Sequence, residues 1–320
     1  MRIKFKNQAQ PKKKPISHMQ RRTFLRNTAL ITGASILKPF ESQVDFHIPA
    51  DFSLKILATN WGFNGSIEEF AKKAKGEGYD GAEIWLPSET KERDALMTAF
   101  QKNGLLHGFL VGAGEKDFKQ NLTSFEKMVD VALQYKPLYF NSHSGKDYFT
   151  PEQAKAFFDL TTQKSKQSGV PIYHETHRSR LCFAAHITKQ YLEKSPELRL
   201  TLDISHWCNV HESLLDDQEE AVNLALSRTE HIHARVGHAE GPQVNDPRAP
   251  EWGNAVKHHL AWWDKVIEYK VKSGKTATIL TEFGPVDYLP ALPYTRQPVA
   301  DQWAINVYMM KLLRERYKAK

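Results

Sequence analysis

Cysteine is scarce. The 320-residue chain has two, Cys182 and Cys208, and their separation excludes a Cys-x-x-Cys pair or a cysteine-rich zinc framework. Both follow predicted strands, and spacing alone leaves a disulfide between them open. Acidic residues are missing from the first 40 positions, which carry ten Lys and Arg; subtracting these from the formal net charge of +7 leaves −3 for residues 41–320. A mildly acidic body is poor at displacing counterions from a phosphate backbone, so nucleic acid is excluded as a partner. No apolar run is long enough for a stable membrane span. The turn after the first predicted strand reads NWGFNGS, not Gly-x-Gly-x-x-Gly, which removes the dinucleotide-binding signature of an open doubly wound sheet. Internal repeats, low-complexity tracts and a mid-chain linker are also missing.

What is present begins with a leader. The stretch QRRTFLRNTALITGASIL holds the pair Arg21-Arg22 and then a short run of small and apolar residues from Thr28 to Leu37. It looks like a twin-arginine (Tat) export signal, and Met19 stands where such a signal begins. Residues 1–45 are therefore expected to be a Tat-type leader, disordered or cleaved, with its mature end near residues 38–50. The expected compartment is the periplasm, and the export machinery is an expected partner.

From residue 53 onward short apolar runs alternate with amphipathic stretches. The runs are 54–59, 81–86, 105–111, 138–142, 170–175, 198–203, 230–235 and 276–282. They are bounded by Gly or polar residues and are continuous in apolar character, as buried parallel strands are. Between them, SIEEFAKKAKGEG at 66–78 reads as a helix, and Phe125, Met128, Val129, Ala132 and Leu133 follow the spacing of one buried helical face. A last helix is expected over 299–317, with Ala304, Val307, Tyr308, Leu312 and Leu313 on its apolar side. Eight strand–helix units over about 265 residues predict an α/β fold, a single (β/α)8 TIM barrel spanning residues 50–320.

In such barrels reactive groups gather at the carboxyl ends of the strands. Run five ends PIYHETH and places Glu175 there. Run six ends LTLDISHW, with Asp203 and, three residues on, His206. Run seven ends HIHARVGH, with His231 and His233 on one face, His231 one layer deeper. Run eight ends ILTEFGP, with Glu282. Singly, such residues cap helices, pair with surface bases or pack in cores. Jointly, carboxylates at the ends of apolar runs are expensive to bury unless they meet a cation or one another. Glu175, Asp203, His233 and Glu282 form a mixed nitrogen and oxygen set suited to a divalent metal such as Mn²⁺, Mg²⁺, Co²⁺ or Zn²⁺. Arg235 and His238 reach toward a substrate.

The order Glu, Asp-x-x-His, His-x-His, Glu resembles the xylose isomerase-like barrel superfamily. Its nearest parallel is the sugar isomerase/epimerase branch with the tagatose and psicose 3-epimerases. The resemblance covers roughly residues 53–317. It implies that the four named residues are ligands, that His206 contacts substrate, and that dimers or tetramers occur. The loop ARVGHAEGPQVNDPRAPEW departs from that branch, so substrate orientation is expected to differ. The DNA-repair branch of the superfamily needs more histidines and a basic face, which the acidic body lacks.

The implied chemistry is proton abstraction alpha to a carbonyl of an unphosphorylated sugar or keto-sugar, with Glu175 and Glu282 as the catalytic pair; a role as ligands only stays open. A lyase or hydratase acting on 3-keto-glycosides or glycals by beta-elimination is the close alternative. A non-catalytic sugar-binding barrel is the rival from another class. His206 either binds a substrate oxygen or only orients Asp203. His143 at the end of run four is a further lining candidate, and His177 and Arg178 could hold a hydroxyl or a carboxylate. Of seven tryptophans, Trp61, Trp85, Trp207 and Trp252 fall at or just after strand ends, where indole faces stack on sugars; ordinary burial is the competing role for each.

Overall fold

The computed structural model describes residues 44–319, so the leader expected over 1–45 lies, but for its last two residues, outside the described residues. Eight strands form: β1 (Leu54–Thr59), β2 (Gly81–Trp85), β3 (Leu106–Gly112), β4 (Phe140–His143), β5 (Ile172–Glu175), β6 (Leu200–Leu202), β7 (Thr229–Ala234) and β8 (Ala277–Thr281). They pair in chain order and in parallel, and β8 closes on β1 with Ile56 opposite Ile279. The fold is the predicted (β/α)8 barrel. Each predicted run overlaps its strand, with ends moved by at most two residues.

The helices are α1 (Ile67–Glu77), α2 (Thr90–Asn103), α3 (Phe118–Leu133), α4 (Pro151–Ser168), α5 (Ala185–Lys194), α6 (Ile204–Val210), α7 (Glu219–Ser227), α8 (Gly253–Lys272) and α9 (Gln302–Arg316). Their starts are written in the sequence. Ser66 and Glu69 close a reciprocal capping box on α1, Thr150 and Gln153 do the same on α4, and Gly78 ends α1 in the left-handed region. On α3, Phe125, Val129 and Ala132 are buried as their spacing predicts. No helix among the described residues is long and apolar enough to cross a membrane.

Strand alternation sorts side chains into two environments. Outward residues such as Ile56, Phe109, Leu202, Ile232 and Ile279 join the core between barrel and helices, each burial contributing about 1.5–3 kcal/mol. Inside the barrel, Leu57, Tyr139 and Leu280, with Tyr173 against them, form a small second core. Gly108 faces that space, because a Cβ there would sit 2.7 Å from the Tyr139 ring. Val44 and Ile48, before β1, are also buried in the main core.

Two expectations need correction. The segment after β6 holds two helices, the short α6 beginning directly at Asp203. The last helix starts after its cap Asp301; Val307 and Leu313 are buried as expected, but Ile305, Met309 and Met310 are buried where Ala304, Tyr308 and Leu312 are only partly so. Polar bonding sets that rotation. Asn306 accepts from Phe283 N at 2.8 Å and donates to Phe283 O at 2.9 Å, clamping the residue beside Glu282.

Candidate metal centre

Glu175 ends β5, Asp203 follows β6, His233 lies one residue from the end of β7, and Glu282 follows β8. The barrel brings the four together. Each is buried, and one donor atom from each lies within 4.8 Å of all the others. His233 Nδ1 is 2.9 Å from Glu282 Oε2 and 3.8 Å from Glu175 Oε2. Glu175 Oε2 also accepts from Asn141 Nδ2 at 2.5 Å and meets His143 Nε2 at 2.9 Å. Asp203 caps α6 through Ser205 N at 3.2 Å, and its other oxygen is paired with Arg235. Arg235 Nη2 lies 3.6 Å from Glu282 and 2.8 Å from His206 Nε2. The arginine expected to reach for substrate thus grips Asp203 and His206.

Burial and charge set the protonation. Burial works against a charged His233, but Glu282, Glu83 and Glu175 outweigh it and hold the imidazole well above its ordinary range. Burial also opposes ionisation of Glu175, yet His143 and His233 keep its carboxyl well below the usual range. For Asp203 burial wins: with Glu282 and Glu175 adding repulsion against the pull of Arg235, its carboxyl is pushed up to about 7. His206 and His177 are driven well below the ordinary imidazole range, first by burial and then by neighbouring cationic groups. Both are neutral at pH 7.

The donor set fits a divalent cation. Glu175 Oε1 is buried with no partner, the condition of an oxygen reserved for a cation. Three carboxylates and one imidazole suit Mn²⁺, Mg²⁺, Co²⁺ or Zn²⁺. Glu83, on β2, supplies what the sequence reading missed. Its Oε1 is 3.0 Å from His233 Nε2 and its Oε2 is 3.2 Å from His231 Nε2. That arrangement fixes the tautomer of a histidine whose other nitrogen faces the donor cluster. His231 lies one layer deeper as predicted, meeting Tyr139 Oη at 3.1 Å and Thr278 Oγ1 at 2.8 Å. Asn141 was also missed. A polar residue at an inward position of an apolar strand, as in GAEIW and YFNSH, was the available signal.

The remaining candidates divide. His143 is 4.4 Å, ring to ring, from His177, which is 3.9 Å from His206, so three imidazoles line the cluster on the β4–β6 side. Trp61 lies against Tyr288 at 4.9 Å and over Gly284, whose Cβ would come within 2.4 Å of the indole. Trp85 meets His143 edge-on at 5.2 Å and is 47% exposed, so its face is available to a ligand. Trp207 needs correction as a stacking platform. It is completely buried in the main core, and its indole N–H donates to Cys182 O at 3.0 Å. His238 and Trp252 stack on each other at 4.7 Å in the loop after β7, where Trp252 bonds Asn245 and His238 closes a turn with Gly241. Tyr288, in the loop after β8, had no sequence signal. The cysteines are both free and buried, and burial pushes the Cys182 thiol up to about 12.

No family model and no curated protein matches the chain. Solved structures do. A D-tagatose 3-epimerase-like protein is 14% identical with a TM-score of 0.54, covering 82% of this chain and 98% of its own. The 3-keto-D-glucoside 4-epimerase of E. coli is 15% identical with a TM-score of 0.53, covering 82% and 99%. A probable 3-DHS dehydratase from Bacillus anthracis is 16% identical with a TM-score of 0.51, covering 81% and 98%. The neighbours thus include sugar epimerases, and the likeness at these identities is one of fold.

Proposed function

We propose that the chain is a divalent-metal-dependent sugar isomerase or epimerase acting on an unphosphorylated sugar or keto-sugar. One observation carries this reading: four consecutive strands bring Glu175, Asp203, His233 and Glu282 within 4.8 Å of one another in a buried cluster. A bound divalent cation would act as a Lewis acid toward a substrate carbonyl and acidify the adjacent C–H. Glu175, kept ionised, is suited to accept that proton, and Glu282 across the cluster returns one. Neutral His206 has an unpartnered buried Nδ1 that can bond a substrate oxygen, while its Nε2 is fixed by Arg235. Trp61 and Trp85 offer ring faces for the sugar.

A second reading keeps the same base and changes the fate of the proton. The adjoining row of His143, His177 and His206 offers ring N–H groups beside Glu175 that could hydrogen-bond the negative charge developing on a leaving group. Fold neighbours whose names state action on a 3-keto-D-glucoside and a dehydratase activity support including 3-keto-glycosides among the substrates tried. The test is metal analysis with solvent-deuterium incorporation alpha to the carbonyl of free ketoses and 3-keto-glycosides. Epimerised, deuterated product supports the first reading and an unsaturated product the second. Bound sugar without exchange would leave a non-catalytic binding barrel.

We also propose export through the Tat route to the periplasm. Val44 and Ile48 pack in the main core, so processing is expected upstream of Val44. Mass determination of the periplasmic protein, and its loss on replacing Arg21 and Arg22 by Lys, test this.

A further inference from the structure

The loop that follows β5 carries more positive charge than the proposed chemistry uses. It reads His177-Arg178-Ser179-Arg180, turning back through a hydrogen bond from Arg180 N to His177 O at 3.1 Å. Ser179 holds a φ of +63°, in the left-handed region that a serine rarely occupies. Strain of this kind persists where surrounding structure fixes it and is concentrated at functional sites. Here it separates two guanidiniums by a single residue.

Arg178 has its partners. Its Nη1 donates to Asn209 Oδ1 at 3.2 Å, and its guanidinium lies 5.2 Å from the centre of the Tyr288 ring. Arg235 lies 4.7 Å from the centre of the same ring. Arg180 is different. Its Nε and Nη1 are both buried and neither has a hydrogen-bond partner. Its backbone N–H bonds His177 O, and the next residue, Leu181, bonds Ser144 O beside His143, which places it on the β4–β5 side of the donor cluster. Lys146 and Asp147 also act on it or on its field, and they offset each other in charge. Two N–H-bearing nitrogens of one cation, shut away from water and unpaired, are a strong demand for an anionic acceptor.

The neighbouring carboxylates are already engaged: Glu175 Oε2 by Asn141 and His143, and Asp203 by Arg235. The acceptor for Arg180 must therefore arrive with a ligand, and a carboxylate is the simplest anion that a sugar carries. We propose that Arg180, supported by Arg178 and Tyr288, forms an anion subsite beside the metal centre, and that the substrate is a sugar bearing a carboxylate. This rests on the proposed function for the sugar. The unpartnered Arg180 guanidinium stands without it.

The test compares binding of glucuronate, glucose and glucose 6-phosphate to the metal-loaded full chain by calorimetry, with metal content measured on every sample. Glucuronate is expected to bind about ten- to a hundredfold tighter than glucose, the range of a charge-assisted hydrogen bond. Arg180→Met should abolish that preference with metal content and melting temperature unchanged, and Arg180→Lys should restore part of it. Glucuronate binding no tighter than glucose, a preference that survives Arg180→Met, or tighter binding of glucose 6-phosphate than of glucuronate would each overturn the subsite. A chain that holds no metal yet prefers glucuronate through Arg180 would instead overturn the metal reading and leave the subsite standing.

Discussion

Glu83→Gln is the most informative single change, because it removes a charge and almost no volume. In the wild type the carboxylate lies 3.0 Å from His233 Nε2 and 3.2 Å from His231 Nε2, and Asn141 donates to it at 3.2 Å. A unit charge pair at 3 Å is worth about 5 kcal/mol gross at an effective dielectric of 20. Most of that is returned by desolvation, so the net effect is far smaller. An amide oxygen can still accept from His233 Nε2–H, but the bond is no longer charge-assisted, and an amide turned the other way clashes donor against donor. Affinity for Mn²⁺ or Zn²⁺ is therefore expected to fall about 10- to 100-fold. The pH dependence gives the sign. In the metal-free wild type the carboxylates hold His233 protonated, so a metal must displace that proton. Glu83→Gln weakens this competition, so the loss of affinity should be greatest at alkaline pH and shrink as pH falls. Chelator competition at several pH values measures it, and ¹⁵N shifts of the His233 ring report the tautomer. A variant that binds metal within about twofold of wild type at every pH would refute the positioning role.

Other outcomes follow from the same geometry. The folded-state pKa of Asp203 is raised from the ordinary carboxylate range to about 7, so its contribution to stability is fully present only below that ordinary range and is lost as pH rises through about 7. The melting temperature of the metal-free chain should fall across this window, and Asp203→Asn or added metal should flatten the fall. Glu282→Gln should abolish formation of the epimer while the chain remains folded, and retained epimerisation would remove Glu282 from the proton transfer. Trp207→Ala should destabilise by about 3–5 kcal/mol in denaturant melts, as a vacated core site does, whereas Trp85→Ala should alter sugar binding with little change in stability.

How far the sequence could be read follows from how directly each feature is encoded. The barrel was legible because its strands are short apolar runs and several of its helices carry side-chain caps. The four donors were legible because a charged residue closing an apolar run has few inexpensive explanations. Trp207 misled because position along the chain does not give direction. The helix that opens at Asp203 turns the indole inward, whereas Trp85, on the strand itself, points into solvent. Glu83 and Asn141 were hidden differently. Each is one polar residue in a good strand, and only closure of the barrel brings Glu83 on β2 to within 3.0 Å of His233 on β7.

That closure also explains why the interior is polar part of the way down. A barrel this narrow is filled by its own side chains, and apolar filling would be the stable choice, as Leu57, Leu280 and the tyrosines show at one level. Above them Tyr139 bonds His231, His231 meets Glu83, Glu83 meets His233, and His233 meets Glu282. Each contact consumes a donor or acceptor that would otherwise be stranded. Each also fixes the orientation of the next ring or carboxylate toward the mouth. A buried ionic chain is rarely more stable than its apolar replacement. Its presence here is therefore best explained by what it positions: His233, with Nε2 anchored below and Nδ1 turned to the three carboxylates. Replacing both Glu83 and His231 by apolar residues of similar volume should leave the fold as stable or more so, and should still cost the metal site its affinity. A loss of folding in that double variant would instead make the chain a structural strut, and would remove the argument that it exists to orient a ligand.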